Sequence, residues 1–312
     1  MRVEHGDLHG ALADPILDSI KLLNEVVLRC PEAVSFAPGW PVELFFEVAD
    51  VHRLLNVYTH HLRDHLGHPP EQIRRTLFQY GDAGGQIREL VARTLANDEG
   101  IRVAPEAVVV TVGCQEGIFG AEPRPTLKSI DRDHRVIYFG SFSKSCLPGV
   151  RTGYVVADQP VGHGGLLATE IAKIKSILTV NTSPIDQAIV GGMLIECGFR
   201  LRESASGRIE FYRANMRTLL AELGRNFGAV PGVRWNAPDG GFFVTVELPF
   251  PVDLKLLDES GRDYGVIWSP MSYFYPAGGG ECSIRLSSSY LSPEKITEGV
   301  RRLRAFVGNH IA

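Results

Sequence analysis

Apolar and polar positions along this chain switch between helical and strand periods. Residues 15–29 (PILDSIKLLNEVVLR) carry apolar side chains at helical spacing. AVSFAPGWP (33–41) predicts a short strand that breaks into a Pro/Gly loop. Helical spacing returns around 47–65 and again around 84–98, where GGQIRELVARTLAND starts on glycines. The runs AVVVTVGCQEG (107–117), VIYFGSFSKS (136–145) and TGYVVA (152–157) predict buried strands, the first leading into a small-residue turn and a helix start. Residues 164–178 and 183–224 are mostly helical in pattern. VRWNAPDGGFFVTVELP, DYGVIWSP and CSIRLSSSY then predict strands, and a closing helix is expected near 293–309. Alternation in the middle followed by a strand-rich unit with flanking helices predicts an α/β domain joined to an α+β domain, with a boundary near 190–210. No internal repeat or low-complexity tract interrupts the pattern.

Composition narrows the function classes. The 312 residues are 44% hydrophobic and 22% charged, with a net charge of −4. That balance gives no sign of nucleic acid or an anionic membrane as partner. No apolar run is long enough to span a bilayer, and the first residues lack the layout of a signal peptide. Five scattered cysteines without CxxC spacing argue against a disulfide framework or a zinc site, so no metal is expected and the reducing cytoplasm is the expected location.

Five segments carry candidate chemistry. In SFSKSCLPGVR (141–151), Lys144 follows a buried strand, with Ser141 and Ser143 before it and Arg151 after it. An amine, two hydroxyls and a guanidinium suit a ligand that bears both an aldehyde and a phosphate. A lysine that merely snorkels to solvent is the plain alternative. In VTVGCQEG (110–117), the backbone amides of Cys114 and Gln115 would open a helix and offer an anion site, or simply form a βα turn. In CSIRLSSSY (282–290), Arg285 lies within an apolar strand pattern, where an arginine normally has an anionic partner. That partner is either a substrate carboxylate or an internal acid. Gly39 in FAPGWP (36–41) permits close approach of backbone to a ligand, or is a turn. Tyr80 in QYGDAGG (79–85) precedes a glycine-rich helix entry and is either a phosphate ligand or a packed surface tyrosine.

The order APGWP, QYGDAGG, VGCQ, SFSKSCLPGVR, NTSP (181–184), GGFF (240–243), IRLS (284–287) resembles that of pyridoxal-phosphate (PLP) aminotransferases of fold type I. The likeness covers nearly the whole chain. It is greatest to the branch with the kynurenine and α-aminoadipate aminotransferases and the aminotransferase domains of MocR-type regulators. The opening EHGDLHGALADPILD together with SFAPG is similar to actinobacterial arylglycine aminotransferases, which make hydroxyphenylglycine or dihydroxyphenylglycine for peptide antibiotics. The resemblance implies a large mixed-sheet α/β domain over 46–200, a small α+β domain over 201–312, and an N-terminal segment, 1–45, that joins the small domain. It implies PLP as cofactor, an amino acid and a 2-oxo acid as substrates, and a homodimer. By position, Lys144 resembles the Schiff-base lysine. Ser141, Ser143, Arg151 and the amides of Cys114 and Gln115 resemble phosphate ligands. Arg285 resembles the arginine that binds the substrate carboxylate, and Gly39 the backbone lining the substrate pocket. Tyr80 resembles the tyrosine that reaches the active site of the other subunit. The role of Asn181 stays open. Phe36, Trp40 and Tyr273 are candidates to shape a pocket for an aryl group.

One departure is large. Only 29 positions separate Gln115 from Lys144, where the family has several more strands and helices. About three βα units of about 30 residues each are missing, with the break near Glu116–Phe119. The family's ring-stacking aromatic, its N-P-[TS]-G asparagine, the aspartate paired with the pyridine nitrogen and the tyrosine at O3′ all belong to that interval. Two expectations follow. Either a segment of the natural polypeptide is missing from this sequence, or an internal deletion has left an inactive binding protein.

Overall fold

The computed structural model describes residues 25–112, 125–162, 164–275 and 277–311. Cys114, Gln115, the break near Glu116–Phe119 and most of the helix expected at 15–29 lie outside them.

In chain order, β1 (Val34–Ser35) is followed by α1 (Val48–His60), whose first turn is closed by the Asp50 carboxylate accepting from the Glu47 N–H at 2.9 Å. Helix α2 (Pro70–Phe78) starts on a proline, whose missing N–H costs nothing in the first turn. Helix α3 (Arg88–Asp98) leads to β2 (Val108–Thr111), and β3 (Tyr138–Ser141) and β4 (Gly153–Val156) follow. Helices α4 (Leu167–Leu178) and α5 (Pro184–Glu196) come next; Ser183 caps α5 by accepting from the Asp186 N–H. The long α6 (Ser206–Phe227) runs on to β5 (Arg234–Trp235) and β6 (Phe243–Glu247). Helix α7 (Leu254–Asp263) is capped by Asp253, which accepts from the Leu256 N–H at 2.9 Å. Strands β7 (Val266–Ile267), β8 (Ser269–Pro270) and β9 (Ser283–Ser287) and helix α8 (Pro293–Ile311) come last, and short helices at Leu127–Ile130 and Leu201–Ser204 and a small hairpin of Pro160–Val161 with Gly165–Leu166 lie between the larger elements.

The chain divides into two compact units, one of Glu43–Ile209 and one of Met1–Val42 with Glu210–Ala312. In the first, β4 lies between β2 and β3 and runs antiparallel to both. Thr111 and Ser141 therefore flank Gly153, and the carboxyl ends of β2 and β3 share one edge of the sheet. In open α/β sheets that edge is where ligands bind. The core of this unit packs α1 and α5 against each other and against α3. Gly192 of α5 allows the approach, because a Cβ there would collide with the Leu54 backbone of α1.

In the second unit the sheet order is β8-β9-β6-β5, all antiparallel, with β1 paired in parallel to β7. Ile284 and Leu286 are fully buried, so the period of two places Arg285 on the opposite face of β9. The core holds Trp268 and Phe306, both fully buried. The Trp268 indole N–H donates to Ser260 Oγ at 3.0 Å, and that hydroxyl donates to the Val266 carbonyl at 2.8 Å. Phe36 belongs to this core with no exposed surface and abuts Gly299 of α8, so it does not line a pocket as the sequence suggested. The apolar character that made it a pocket candidate is spent on packing.

Candidate active site

Strand β3 ends at Ser141, and the chain turns back on itself. The N–H groups of Ser145 and Cys146 both donate to the Phe142 carbonyl, and the Phe142 N–H donates to the Thr152 carbonyl at 3.0 Å. Lys144 sits half-buried in this turn. The Ser143 N–H donates to Ser141 Oγ at 3.1 Å. Arg151 adopts a left-handed conformation, φ 44°, and its guanidinium donates to Ser143 Oγ at 3.4 Å. The structure thus brings Ser141, Ser143, Lys144 and Arg151 into one turn. Burial, and then the neighbouring Arg151 charge, hold the Lys144 ammonium below the usual lysine range. A lysine so placed presents its unprotonated amine more readily than a surface lysine.

The glycine loop before α3 packs against β2. The Val110 N–H donates to the Gly84 carbonyl at 2.8 Å. Gly85 has φ +103°, and a Cβ there would meet the Val110 side chain at 2.5 Å. Tyr80, just before this loop, is 82% exposed.

Several residues that support this region carry no motif. The buried Gln187 accepts from the Gln86 N–H at 2.8 Å and donates to the Thr182 carbonyl at 2.8 Å. Thr182 donates to the Val110 carbonyl at 3.0 Å. This chain of bonds ties NTSP, the glycine loop and β2 together. The buried Lys175 donates to the Ala83 carbonyl at 2.8 Å, and the buried Arg208 to the Ser145 carbonyl, next to Lys144, at 2.6 Å. A signal existed for Gln187 and Lys175, since each interrupts an apolar helical run; Arg208 had none.

In the other unit, the Arg285 guanidinium carbon lies 4.3 Å from the centroid of the Phe243 ring and 4.4 Å from that of Phe274. Gly39 packs so closely on Phe243 that a Cβ would meet its ring tip at 2.6 Å. Trp40, 57% exposed, is tilted against Tyr290 at 5.7 Å.

The family model for aminotransferase class I and II matches residues 115–303. The chain belongs to the class I and II aminotransferases. It is accordingly a PLP-dependent transaminase of fold type I. Among curated relatives, it is 37% identical over 409 residues to the (S)-3,5-dihydroxyphenylglycine transaminase of Amycolatopsis orientalis, covering 96% of this chain and 93% of that one. It is 36% identical over 199 residues to the 2-aminoadipate transaminase of Thermus thermophilus, covering 62% of this chain and 47% of the relative, so it spans about half of that protein. The kynurenine aminotransferase of Pyrococcus horikoshii has the same fold, with a TM-score of 0.76 at 18% identity, covering all of this aminotransferase and 96% of that chain. The alignment with the Amycolatopsis enzyme is 409 positions long and this chain has 312 residues. About 100 positions therefore lack a counterpart here, the size of roughly three βα units.

The residues of this aminotransferase fit PLP at two of its ends. Two hydroxyls and a guanidinium in one turn suit a phosphate dianion, and the lysine beside them, held below its usual pKa, suits the aldehyde. No helix among the described residues is long and apolar enough to cross a membrane.

Proposed function

We propose that this aminotransferase moves an amino group between an arylglycine and a 2-oxo acid, in a pathway that supplies precursors of a peptide antibiotic. The observation that carries the proposal is the 37% identity to the (S)-3,5-dihydroxyphenylglycine transaminase, sustained over 96% of the chain. The rings around Arg285 support it. Residues Glu43–Ile209 form the cofactor-binding part, and the remainder binds the substrate carboxylate. When bound, PLP supplies an aldehyde that takes up the amino group and a ring that withdraws electrons from Cα.

The chain's own residues do the rest. Ser141, Ser143 and Arg151, with the amides of Cys114 and Gln115, hold the phosphate. Arg285 grips the substrate α-carboxylate through paired hydrogen bonds, and the Gly39 backbone lines the pocket beside it. Lys144 would hold the cofactor by its aldehyde and would serve as the general base for the substrate Cα proton. Its depressed pKa keeps the free amine available for that transfer. Tyr80 and the neighbouring Phe78, 82% and 67% exposed, face a second copy of the chain, and Tyr80 reaches that copy's phosphate. The enzyme acts in the cytoplasm, in keeping with the free cysteines Cys30, Cys146, Cys197 and Cys282.

One observation favours a second function, that of a binding protein without turnover. The alignment with the Amycolatopsis enzyme is about 100 positions longer than this chain, and the family resemblance assigns the contacts to the cofactor ring to the short interval between Gln115 and Lys144. Such a protein would take PLP on Lys144 and carboxylates on Arg285 but leave Cα protonated. Incubation with PLP and (S)-3,5-dihydroxyphenylglycine, followed by mass analysis of the released cofactor, separates the two. Pyridoxamine phosphate is expected of the transaminase, and unchanged PLP of the binding protein.

A further inference from the structure

Arg285 is flanked on two sides, and the flanking groups come from different elements. Phe243 opens β6, where it pairs with Ser287 of β9, while Phe274 ends the single turn Met271–Phe274 that follows β8. Their centroids lie at nearly equal distances from the guanidinium carbon, 4.3 and 4.4 Å. Both distances are within the range over which a ring face attracts a cation. Phe274 keeps this position while 49% exposed, so core packing does not account for it. The tip of the Phe243 ring packs on Gly39.

Rings this close to a guanidinium carbon border the approach of any ligand to that arginine. A carboxylate then enters in the guanidinium plane, in the fork geometry that arginine favours. Its α-carbon follows in the same plane, and the substituents on that carbon project toward the rims of the two rings. An aryl group bonded directly to this carbon has one rotatable bond and stands beside those rims. An aryl group on a methylene spacer has one more rotor and stands farther away. Ring contacts of this kind are worth roughly 2- to 10-fold in affinity each.

We infer that Phe243, Phe274 and Arg285 form one recognition element for a carboxylate whose α-carbon bears an aryl group directly, with the two phenylalanines as specificity-determining residues. This rests on Arg285 being the carboxylate site proposed above. It adds that the preference for an arylglycine skeleton is built by the same rings that dress the arginine.

The test is calorimetric binding of three oxo acids, glyoxylate, phenylglyoxylate and phenylpyruvate, to the full chain loaded with PLP, a form in which oxo acids bind without reacting. Wild type should prefer phenylglyoxylate to each of the others by about 10-fold, the sum of ring contacts of this size. Phe274→Leu and Phe243→Leu should each lower the ratio of phenylglyoxylate to glyoxylate affinity several-fold. The ratio cancels any general loss of Arg285 alignment. Because Phe274 is half-exposed, its variant keeps the test alive if Phe243→Leu fails to fold. Equal affinity for phenylglyoxylate and phenylpyruvate, or ratios unchanged in Phe274→Leu, would overturn the inference and leave the carboxylate site standing. Arg285→Gln should lose all three ligands; retention of all three would overturn the carboxylate site itself, and the recognition element with it.

Discussion

The four-stranded and three-stranded sheets of this chain differ in how well their apolar residues are covered. In β8-β9-β6-β5, the inward residues Val244, Val246, Ile284 and Leu286 have no exposed surface, and Trp268 and Phe306 beside them have none either. In β2-β4-β3, Phe139 is 56% exposed, and Val112 and Ile137, just outside the strands, are 57% and 39% exposed. Sheets with helices on both faces carry apolar residues on both faces. An apolar face left open marks either a contact surface or a lost cover. Val112 and Ile137 stand on either side of the interval that is short by about three βα units. The contrast teaches that incomplete covering of apolar residues is found in the sheet next to the interval that the family resemblance makes short. The four-stranded sheet is sealed, while the three-stranded sheet that leads into the Lys144 turn leaves apolar side chains open among the described residues.

Substitutions can break or sharpen that contrast. The largest effect is expected at Lys144. Lys144→Ala should reduce transamination by about 10³-fold, the scale of a lost acid–base group, and abolish the visible absorbance of the lysine-bound cofactor. In the sealed sheet, Trp268→Ala removes a fully buried ring and its bond to Ser260, and should lower stability by about 3–5 kcal/mol in denaturant titration. In the helical layer of the other unit, Gly192→Ala drives a methyl into the Leu54 backbone and should cost about 1–3 kcal/mol. Gly149→Ala, where a Cβ meets nothing within 4 Å, should be close to neutral and serves as its control. On the open sheet, Phe139→Ser should change stability by no more than about 0.5 kcal/mol. A cost as large as that of Trp268→Ala would mean that Phe139 is covered in solution.

The smallest effect is a shift along the pH axis. The folded Lys144 pKa is depressed, by burial first and by Arg151 second, so its amine is unprotonated at lower pH than that of a free lysine. The rate of cofactor uptake should therefore rise with pH through an inflection below 10.5, the ordinary lysine value. Arg151→Met removes one depressing charge and should move that inflection upward, besides weakening phosphate binding. An inflection that stays in place would show that burial alone sets it.

Much of this was legible in the sequence because it was written in local pattern. The runs at 107–117, 136–145 and 152–157 contain β2, β3 and β4, and serine, lysine and arginine in SFSKSCLPGVR mark the turn. Helix α2 was missed because it is only 9 residues long, so Ile73, Leu77 and Phe78 make too short a stripe to stand out. Helix α7 was missed because its 10 residues lie between two strand-like stretches, although Leu254, Leu256 and Leu257 and the Asp253 cap mark its first turn. Lys175, Thr182 and Arg208 bond to backbone carbonyls far along the chain, which no motif records. Phe274 reaches Arg285 only because a turn follows β8, and Phe36 looked like a pocket residue because burial in a core and burial in a pocket leave the same mark on a sequence. The shortfall between Gln115 and Lys144 was visible from spacing, and the 409-position alignment matches it in size.

The central proposal is that Lys144 carries out transamination in this chain. A single-turnover experiment tests it most directly: purified protein, one equivalent of PLP and excess (S)-3,5-dihydroxyphenylglycine, with the cofactor identified by mass. The account predicts pyridoxamine phosphate and the matching aryl oxo acid, both absent in Lys144→Ala. PLP recovered unchanged, from a protein in which borohydride fixes the cofactor to Lys144, would contradict it and leave a binding protein in place of an enzyme.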